Sequence, residues 1–113
     1  MHEYSIAYDL YTTARKAALE HNAILITRVS VGIGEMAMAS QDQLQFLFEV
    51  IVADDPLFAG TKLECTSIPR ATRCVCGYAG DEIYVCPSCG ALPELVSGRE
   101  ILVTNVEIEV AET

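Results

Sequence analysis

Four of the five cysteines in this chain lie within sixteen residues, and this cluster constrains the fold more than any other feature. They are Cys74, Cys76, Cys86 and Cys89. In a reducing compartment, clustered cysteines hold a metal ion more often than they form disulfides. The surrounding segment, about residues 71–95, is rich in Cys, Gly and Pro and has few large apolar residues. We therefore expect a bound metal to supply its folding energy.

The spacing of the cysteines is typical of zinc in its second half only. Structural zinc takes four tetrahedral ligands, commonly from two C-x2-C turns. Cys86-Pro87-Ser88-Cys89-Gly90 is such a turn, and its glycine permits a left-handed backbone. The first pair, Cys74 and Cys76, has one intervening residue, and Arg73 stands where a regular turn would place its first ligand. The residues favour zinc on all four cysteines and leave open three cysteines with an outside ligand, or a disulfide pair.

Four thiolates would fill the coordination sphere of the ion. No position would then remain for water or a substrate, so a zinc site of this kind is structural and not catalytic. Cys65 stands apart from the cluster on a predicted strand. It is best interpreted as a small buried residue. A substitute metal ligand or a reactive thiol is the alternative.

Composition limits the possible partners and location of the chain. With 113 residues and 12.3 kDa it forms one ordinary domain, or one small domain with an insert. Seven basic and sixteen acidic residues give a net charge of −9, which argues against binding to nucleic acid or to an anionic membrane. No apolar run reaches the roughly 18 residues that span a bilayer. No basic leader precedes an apolar stretch at the N-terminus, so we expect a cytoplasmic protein.

The hydrophobic pattern predicts two helices. Apolar residues three and four positions apart indicate a first helix from about Glu3 to His21. Its apolar stripe consists of Tyr4, Ala7, Tyr8, Tyr11, Ala14 and Ala18. Ser40-Gln41-Asp42-Gln43 matches a capping box that begins a second helix, and Asp54-Asp55-Pro56 should end it. His21 is interpreted as a favourable charge at the end of the first helix.

Alternating apolar residues predict three strands, at about residues 25–33, 62–68 and 100–110. In the first strand one face carries Leu25, Thr27, Val29, Val31 and Ile33. In the last strand the apolar parity changes partway, which predicts a β-bulge near Thr104-Asn105. The predicted fold is α+β, with two helices on a small sheet and a zinc-ribbon-like domain inserted between the last two strands. The predicted domains are 1–70 plus 95–113, and 71–94.

The first three residues carry several nitrogen donors. A bulky residue after the initiator Met blocks its removal, so the Met1 amine stays free. This amine, the His2 amide and imidazole, and the Glu3 amide offer up to four nitrogens, a donor set that suits Ni(II) or Cu(II). Taken alone, the residues favour the plainer interpretation, an ordinary exposed histidine at a frayed terminus.

Motifs along nearly the whole chain resemble the HypA family of nickel-delivery metallochaperones for hydrogenase and urease. They are Met1-His2-Glu3-Tyr4-Ser5, Val31-Gly32-Ile33-Gly34-Glu35, Ala59-Gly60-Thr61-Lys62-Leu63-Glu64, Cys76-Gly77, Cys86-Pro87-Ser88-Cys89-Gly90, Gly98-Arg99-Glu100-Ile101 and Val106-Glu107-Ile108-Glu109. The resemblance implies a nickel-binding α+β domain and a structural zinc domain. It implies nickel ligands at Met1, His2 and Glu3, with His2 essential and Asp42 a weaker candidate. It implies Zn²⁺ on the four clustered cysteines, with Cys74 the least secure because of the C-x-C spacing.

The same resemblance implies the function. The chain would receive Ni²⁺ and pass it to the large subunit of a [NiFe] hydrogenase during maturation, together with a HypB-type GTPase. Urease maturation proteins are further candidate partners. No substrate bond changes, so the chain would not be an enzyme. One rival is a zinc-ribbon protein-interaction module without a nickel function. The other is an enzyme that uses Cys65 or an open zinc site, but no catalytic arrangement in the sequence supports it.

Overall fold

A computed structural model describes residues 3–111, and the helices and strands within this range follow the predicted order. The helices are α1 (Glu3–Glu20) and α2 (Gln41–Val52), with a short 3-10 turn at Pro56–Phe58. The strands are β1 (Ala23–Gly34), β2 (Lys62–Ile68), β3 (Ala71–Arg73), β4 (Ala79–Gly80), β5 (Glu94–Ser97) and β6 (Ile101–Val110). The α+β class is confirmed. Over the described range, neither helix combines the length and the apolar character that a membrane crossing requires.

The described strands form two three-stranded sheets. In the first, β1 lies between a parallel β2 and an antiparallel β6. The helix α2 connects β1 to β2, as parallel neighbours require a crossover. The second sheet has the order β4-β3-β5, and its pairings are antiparallel. It lies in sequence between β2 and β6, where the insert was predicted. The predicted domain limits at residues 71 and 94 stay a prediction.

The two helices pack against the first sheet around one core. Its buried residues are Leu10, Ala14, Ala18, Ile26, Val29, Val31, Phe48, Val52, Leu57, Phe58 and Leu63. The predicted stripe of α1 is correct at its alanines but wrong at Tyr4 and Tyr8, which are exposed and stacked with ring centroids 6.4 Å apart. The buried line of α1 passes through Leu10 instead, so the two tyrosines fall on its flank.

Three register shifts in the pairing of β1 with β6 affect which residues of the first sheet face the core. On β1 the pairing shifts between Ala23 and Leu25 and again between Ile26 and Arg28. The extra residue on β1 at the second of these shifts turns the side chains before it to the opposite face of the sheet. Ile26 is therefore fully buried, and the prediction that Leu25 and Thr27 share a face with Val29 is wrong. In β6 the predicted bulge is confirmed, because Ser30 and Val31 pair with Asn105 and Val103 and leave Thr104 between them.

Asp55 ties α1 to the turn that follows α2. Its Oδ2 accepts hydrogen bonds from Tyr11 Oη at 2.7 Å and Arg15 Nε at 3.1 Å, and its Oδ1 accepts one from the Leu57 amide at 3.0 Å. Burial raises the pKa of Asp55, but the bonds from Tyr11, Leu57 and Arg15 outweigh it and hold this pKa below its ordinary value. The carboxylate therefore stabilises the fold in its charged form.

Three chain segments, 34–36, 68–70 and 98–100, join the two sheets. Backbone hydrogen bonds of 2.6, 2.7 and 2.8 Å link the first segment to the other two. A Cβ on Gly34 would overlap the backbone carbonyl of Gly98, and Gly98 itself has a φ of +110°. The sequence requires glycine at both positions because the backbones approach too closely for a side chain.

Replacing Asp55 with Asn should lower the free energy of unfolding near neutral pH by about 2 kcal/mol, because the hydrogen bonds to a charged group are weakened. The contribution of Asp55 is present above about pH 3.9, the ordinary carboxyl pKa, and is lost as the pH falls through the lowered pKa of the folded protein. The difference between the two proteins should therefore narrow in acid. Urea unfolding at several pH values measures it. Asp54→Asn is the control, and a pH-independent difference would contradict the assignment.

Replacing Gly34 with Ala should lower the free energy of unfolding by about 3 kcal/mol, because its Cβ meets fixed backbone. Gly32→Ala is the matched control on the same strand. Its Cβ would lie 2.6 Å from Ile68 Cδ1, the end of a movable side chain, so its cost should be about 1 kcal/mol. Thermal unfolding monitored by circular dichroism compares them. Equal losses would show that the close approach at Gly34 does not control stability.

Candidate metal centre

Four cysteine sulfurs converge between the two loops of the second sheet. The Sγ atoms of Cys74, Cys76, Cys86 and Cys89 all lie within 4.8 Å of one another. Cys74 Sγ is 3.3 Å from Cys89 Sγ, and Cys76 Sγ is 3.7 Å from Cys86 Sγ. Sulfurs at about 2.3 Å from a tetrahedral zinc ion would be about 3.8 Å apart, whereas disulfide sulfurs are separated by about 2.05 Å. All five cysteines are free, so the cluster has the dimensions of a metal site.

The first loop, Cys74-Val75-Cys76-Gly77, is the turn between β3 and β4. The Gly77 amide donates to the Cys74 carbonyl at 2.9 Å, and the Cys74 amide donates to the Tyr78 carbonyl at 2.8 Å. Gly77 has a φ of +96°, which suits glycine. The turn places the Cys74 side chain inside the cluster, with 4% exposure, and leaves Cys76 at its surface.

The second loop, Cys86 to Gly90, repeats this pattern with one more residue. The Gly90 amide donates to the Cys86 carbonyl at 2.8 Å, and the Cys86 amide donates to the Ala91 carbonyl at 2.8 Å. Gly90 has a φ of +80°, and the Ser88 amide donates to Cys86 Sγ at 3.4 Å. The C-x-C loop is thus a one-residue-shorter version of the C-x2-C loop, and its spacing does not remove Cys74 from the site.

Neighbouring amides and sulfurs shift the thiol pKa values in opposite directions. The Tyr78 amide is the largest influence on Cys76 and lowers the pKa of its thiol to about 7. The Ala91 amide lowers the pKa of Cys89, but the sulfurs of Cys74 and Cys76 raise it more, to about 12. Without a cation, the crowded sulfurs therefore do not all ionise near neutral pH. A divalent cation would favour the charged form of all four.

The amides that support the sulfurs were not identified from the sequence. Tyr78 and Ala91 each follow a loop glycine and donate to the second cysteine of the loop. In both loops a glycine directly follows the second cysteine, at residues 76–77 and 89–90. This shared Cys-Gly pattern could have predicted the supporting amides from the sequence. Arg73 occupies the position that the first ligand of a regular C-x2-C turn would have. It is the last residue of β3, and its side chain is exposed.

The structure describes only part of the predicted nickel site. Met1 and His2 lie outside the described residues. Glu3 is the first residue of α1 and is partly exposed. Asp42 is exposed in the first turn of α2, beside the N-cap Ser40, whose Oγ accepts a hydrogen bond from the Gln43 amide at 3.3 Å. This position gives Asp42 a structural role near the positive end of the helix.

Two other residues considered from the sequence have ordinary surroundings. Cys65 is half-buried on β2 and packs against the core, and burial raises the pKa of its thiol. Reactive cysteines have a lowered thiol pKa, so Cys65 does not have the properties of a reactive thiolate. His21 follows α1, and its Nδ1 lies 3.0 Å from the Ala17 carbonyl. Its position at the helix end agrees with the prediction.

Comparison with known sequences identifies relatives that span the chain. A family model described as "Hydrogenase/urease nickel incorporation, metallochaperone, hypA" matches residues 1–108. The "Hydrogenase maturation factor HypA" of Methanocella arvoryzae is 39% identical over 97% of this chain and 100% of its own length. The protein of the same name from Dehalococcoides mccartyi strain CBDB1 is 33% identical over 96% and 95%. These names describe metallochaperones or maturation factors, in agreement with the prediction that the chain is not an enzyme.

Solved structures share the fold. The solution structure of the Ni metallochaperone HypA from Helicobacter pylori matches 99% of this chain and 100% of its own, with a TM-score of 0.79 and 24% identity. A second solution structure, of a HypA protein, matches 98% of each chain with a TM-score of 0.80 and 23% identity. The family match over residues 1–108 and the 39% identity to a HypA protein lead to one conclusion: the chain belongs to the HypA family.

Proposed function

We propose that this chain is a cytoplasmic nickel metallochaperone with two separate metal sites. It binds Ni²⁺ at Met1, His2 and Glu3 and delivers it to the large subunit of a [NiFe] hydrogenase during maturation. A HypB-type GTPase is its partner, and urease maturation proteins are further candidates. The main support for this proposal is the family match, which begins at residue 1 and includes both the Met1-His2-Glu3 segment and the cysteine cluster.

The four clustered cysteines would hold Zn²⁺ as a structural ion. Four sulfur donors at these separations suit tetrahedral zinc. The insert needs such an ion, because its buried residues are few: Thr72, Cys74, Cys86 and Pro93. Two of these four are cysteines of the cluster itself. When bound, zinc would join the two loops and stabilise the second sheet, without an open position for chemistry.

The nickel cargo would bind at a different kind of site, in which the first three residues supply a small number of ligands. The amine of Met1 and the imidazole of His2 are nitrogen donors that Ni²⁺ favours. Such a site suits a donor protein, since a partner's ligands can replace its own ligands one at a time. The nickel-binding unit would comprise 1–70 plus 95–113, and the zinc unit 71–94.

Replacing Cys74 with Ser should reduce the bound zinc from one ion per chain and lower zinc affinity at least about a hundredfold, because one of four thiolates is lost. Elemental analysis and competition with a chromophoric chelator measure this. Cys65→Ser is the matched control and should keep full zinc. Unchanged zinc affinity in Cys74→Ser would show that the site uses three cysteines and another ligand.

Replacing His2 with Ala should abolish Ni²⁺ binding, because it removes the imidazole donor, while zinc stays at one ion per chain. Calorimetric titration of zinc-loaded protein with an untagged N-terminus is the measurement. His21→Ala is the matched control and should bind one Ni²⁺ like the unaltered chain. If both variants bind nickel alike, or the unaltered chain binds none, the zinc-ribbon interaction module replaces the nickel donor as the better interpretation.

A further inference from the structure

The two outer strands of the first sheet differ in how their edges are covered. At the β2 edge, Gln45 of α2 donates from Nε2 to the Leu63 carbonyl at 3.2 Å, and Pro69 follows the strand closely. In the described part of the chain, β6 pairs with β1 alone. An uncovered edge strand presents a row of backbone donors and acceptors to any extended chain.

The strand β6 lacks most of the features that protect a free edge. Proteins shield such edges by short length, proline, lysine or bulges. Ile101–Val110 has ten residues and contains neither proline nor lysine. Its bulge at Thr104 interrupts the pairing with β1 but leaves six residues, 105–110, on its C-terminal side; the two further register shifts opposite this stretch place their extra residues on β1. That length is enough for a typical strand to pair with it.

An apolar groove of about 370 Å³ runs beside this edge, between β6 and the C-terminal half of α1. Its walls include Ala17 and Ala18 of α1 and Val103, Val106 and Ile108 of β6. The three β6 side chains are only partly buried, because the alanines opposite them are small. A strand added beside β6 would direct every second side chain into this groove.

The other face of β6 is acidic. Glu107 and Glu109 alternate with Val106 and Ile108, so they project away from the groove, and both are exposed. Arg28 is the neighbouring cation, and its Nη1 is shared between Glu107 and Glu64 at 3.5 Å each. Side chains of an added strand that face this side would meet net negative charge.

We propose that the outer edge of β6 is a docking site for an extended segment of another protein, in which apolar residues alternate with Lys or Arg. The segment extends the first sheet by main-chain hydrogen bonds, as in strand addition. Its apolar side chains fill the groove under α1, and its basic side chains meet Glu107 and Glu109. A second copy of this chain fits less well, because each copy carries a net charge of −9. The proposal is independent of both metal sites.

The probe is a fluorescein-labelled peptide of about eight residues in which valine alternates with lysine. The control peptide has the same composition, but its valines are grouped in one half and its lysines in the other. Titration of the zinc-loaded full chain is followed by fluorescence anisotropy, and amide NMR shifts locate the bound peptide. Binding of the alternating peptide with shift changes confined to β6 and the C-terminal half of α1 supports the proposal.

Two substitutions test the two faces. Ala17→Leu fills the groove and should weaken binding about tenfold, the effect expected for a central contact residue, whereas Thr12→Leu elsewhere on the same helix should not weaken it. Glu109→Lys should weaken binding about fivefold at low salt. Glu94→Lys on β5 changes the net charge equally and should have a smaller effect.

Four results would overturn the proposal. Equal binding of the grouped peptide would show simple charge attraction, and an unchanged affinity in Ala17→Leu would exclude the groove. Absence of binding at about 1 mM peptide would exclude a useful site. Shift changes at β6 that depend on protein concentration without peptide would identify a second copy as the occupant.

Discussion

The four cysteine sulfurs lie so close together that negative charge on all of them would be unfavourable unless a cation were bound. Their Sγ atoms lie within 4.8 Å of one another, and thiolates at such distances repel strongly in a partly buried site. The loop amides relieve part of this repulsion, as the pKa of about 7 at Cys76 indicates, but the pKa of about 12 at Cys89 shows that they do not relieve all of it. The sheet has few buried residues of its own, so a metal ion held by the four sulfurs would stabilise its loops.

The first sheet depends on a different interaction, the burial of β1 between two neighbours and under two helices. Ile26, Val29 and Val31 are fully buried there. The junction at segments 34–36, 68–70 and 98–100 connects the two sheets through backbone hydrogen bonds and two closely approaching glycines. The packed core of the first sheet and the cysteine cluster of the second are therefore separate, and backbone hydrogen bonds connect the two sheets.

Features that leave a pattern in neighbouring residues could be predicted from the sequence. The change of apolar parity between Val103 and Val106 identified the bulge of β6, and the N-cap at Ser40 identified the start of α2. The bulge of β1 between Ile26 and Arg28 leaves no such mark, because Ile26 and Leu25 are equally apolar and only the pairing with β6 decides between them. The short strands β3, β4 and β5 were not predicted either, because segments of two to four residues carry too little alternation to identify a strand. The equivalence of the two loops became clear only from their hydrogen bonds.

The net charge of the chain opposes pairing between copies at the open edge of β6. Long uncovered edges promote pairing between copies, and β6 lacks lysine or proline to prevent it. Two copies that each carry −9 repel as they approach, and Glu107 and Glu109 place part of that charge at the edge itself. The repulsion opposes self-association without closing the edge, and it favours an extended partner of opposite charge. The same acidic surface thus acts against one interaction and for another.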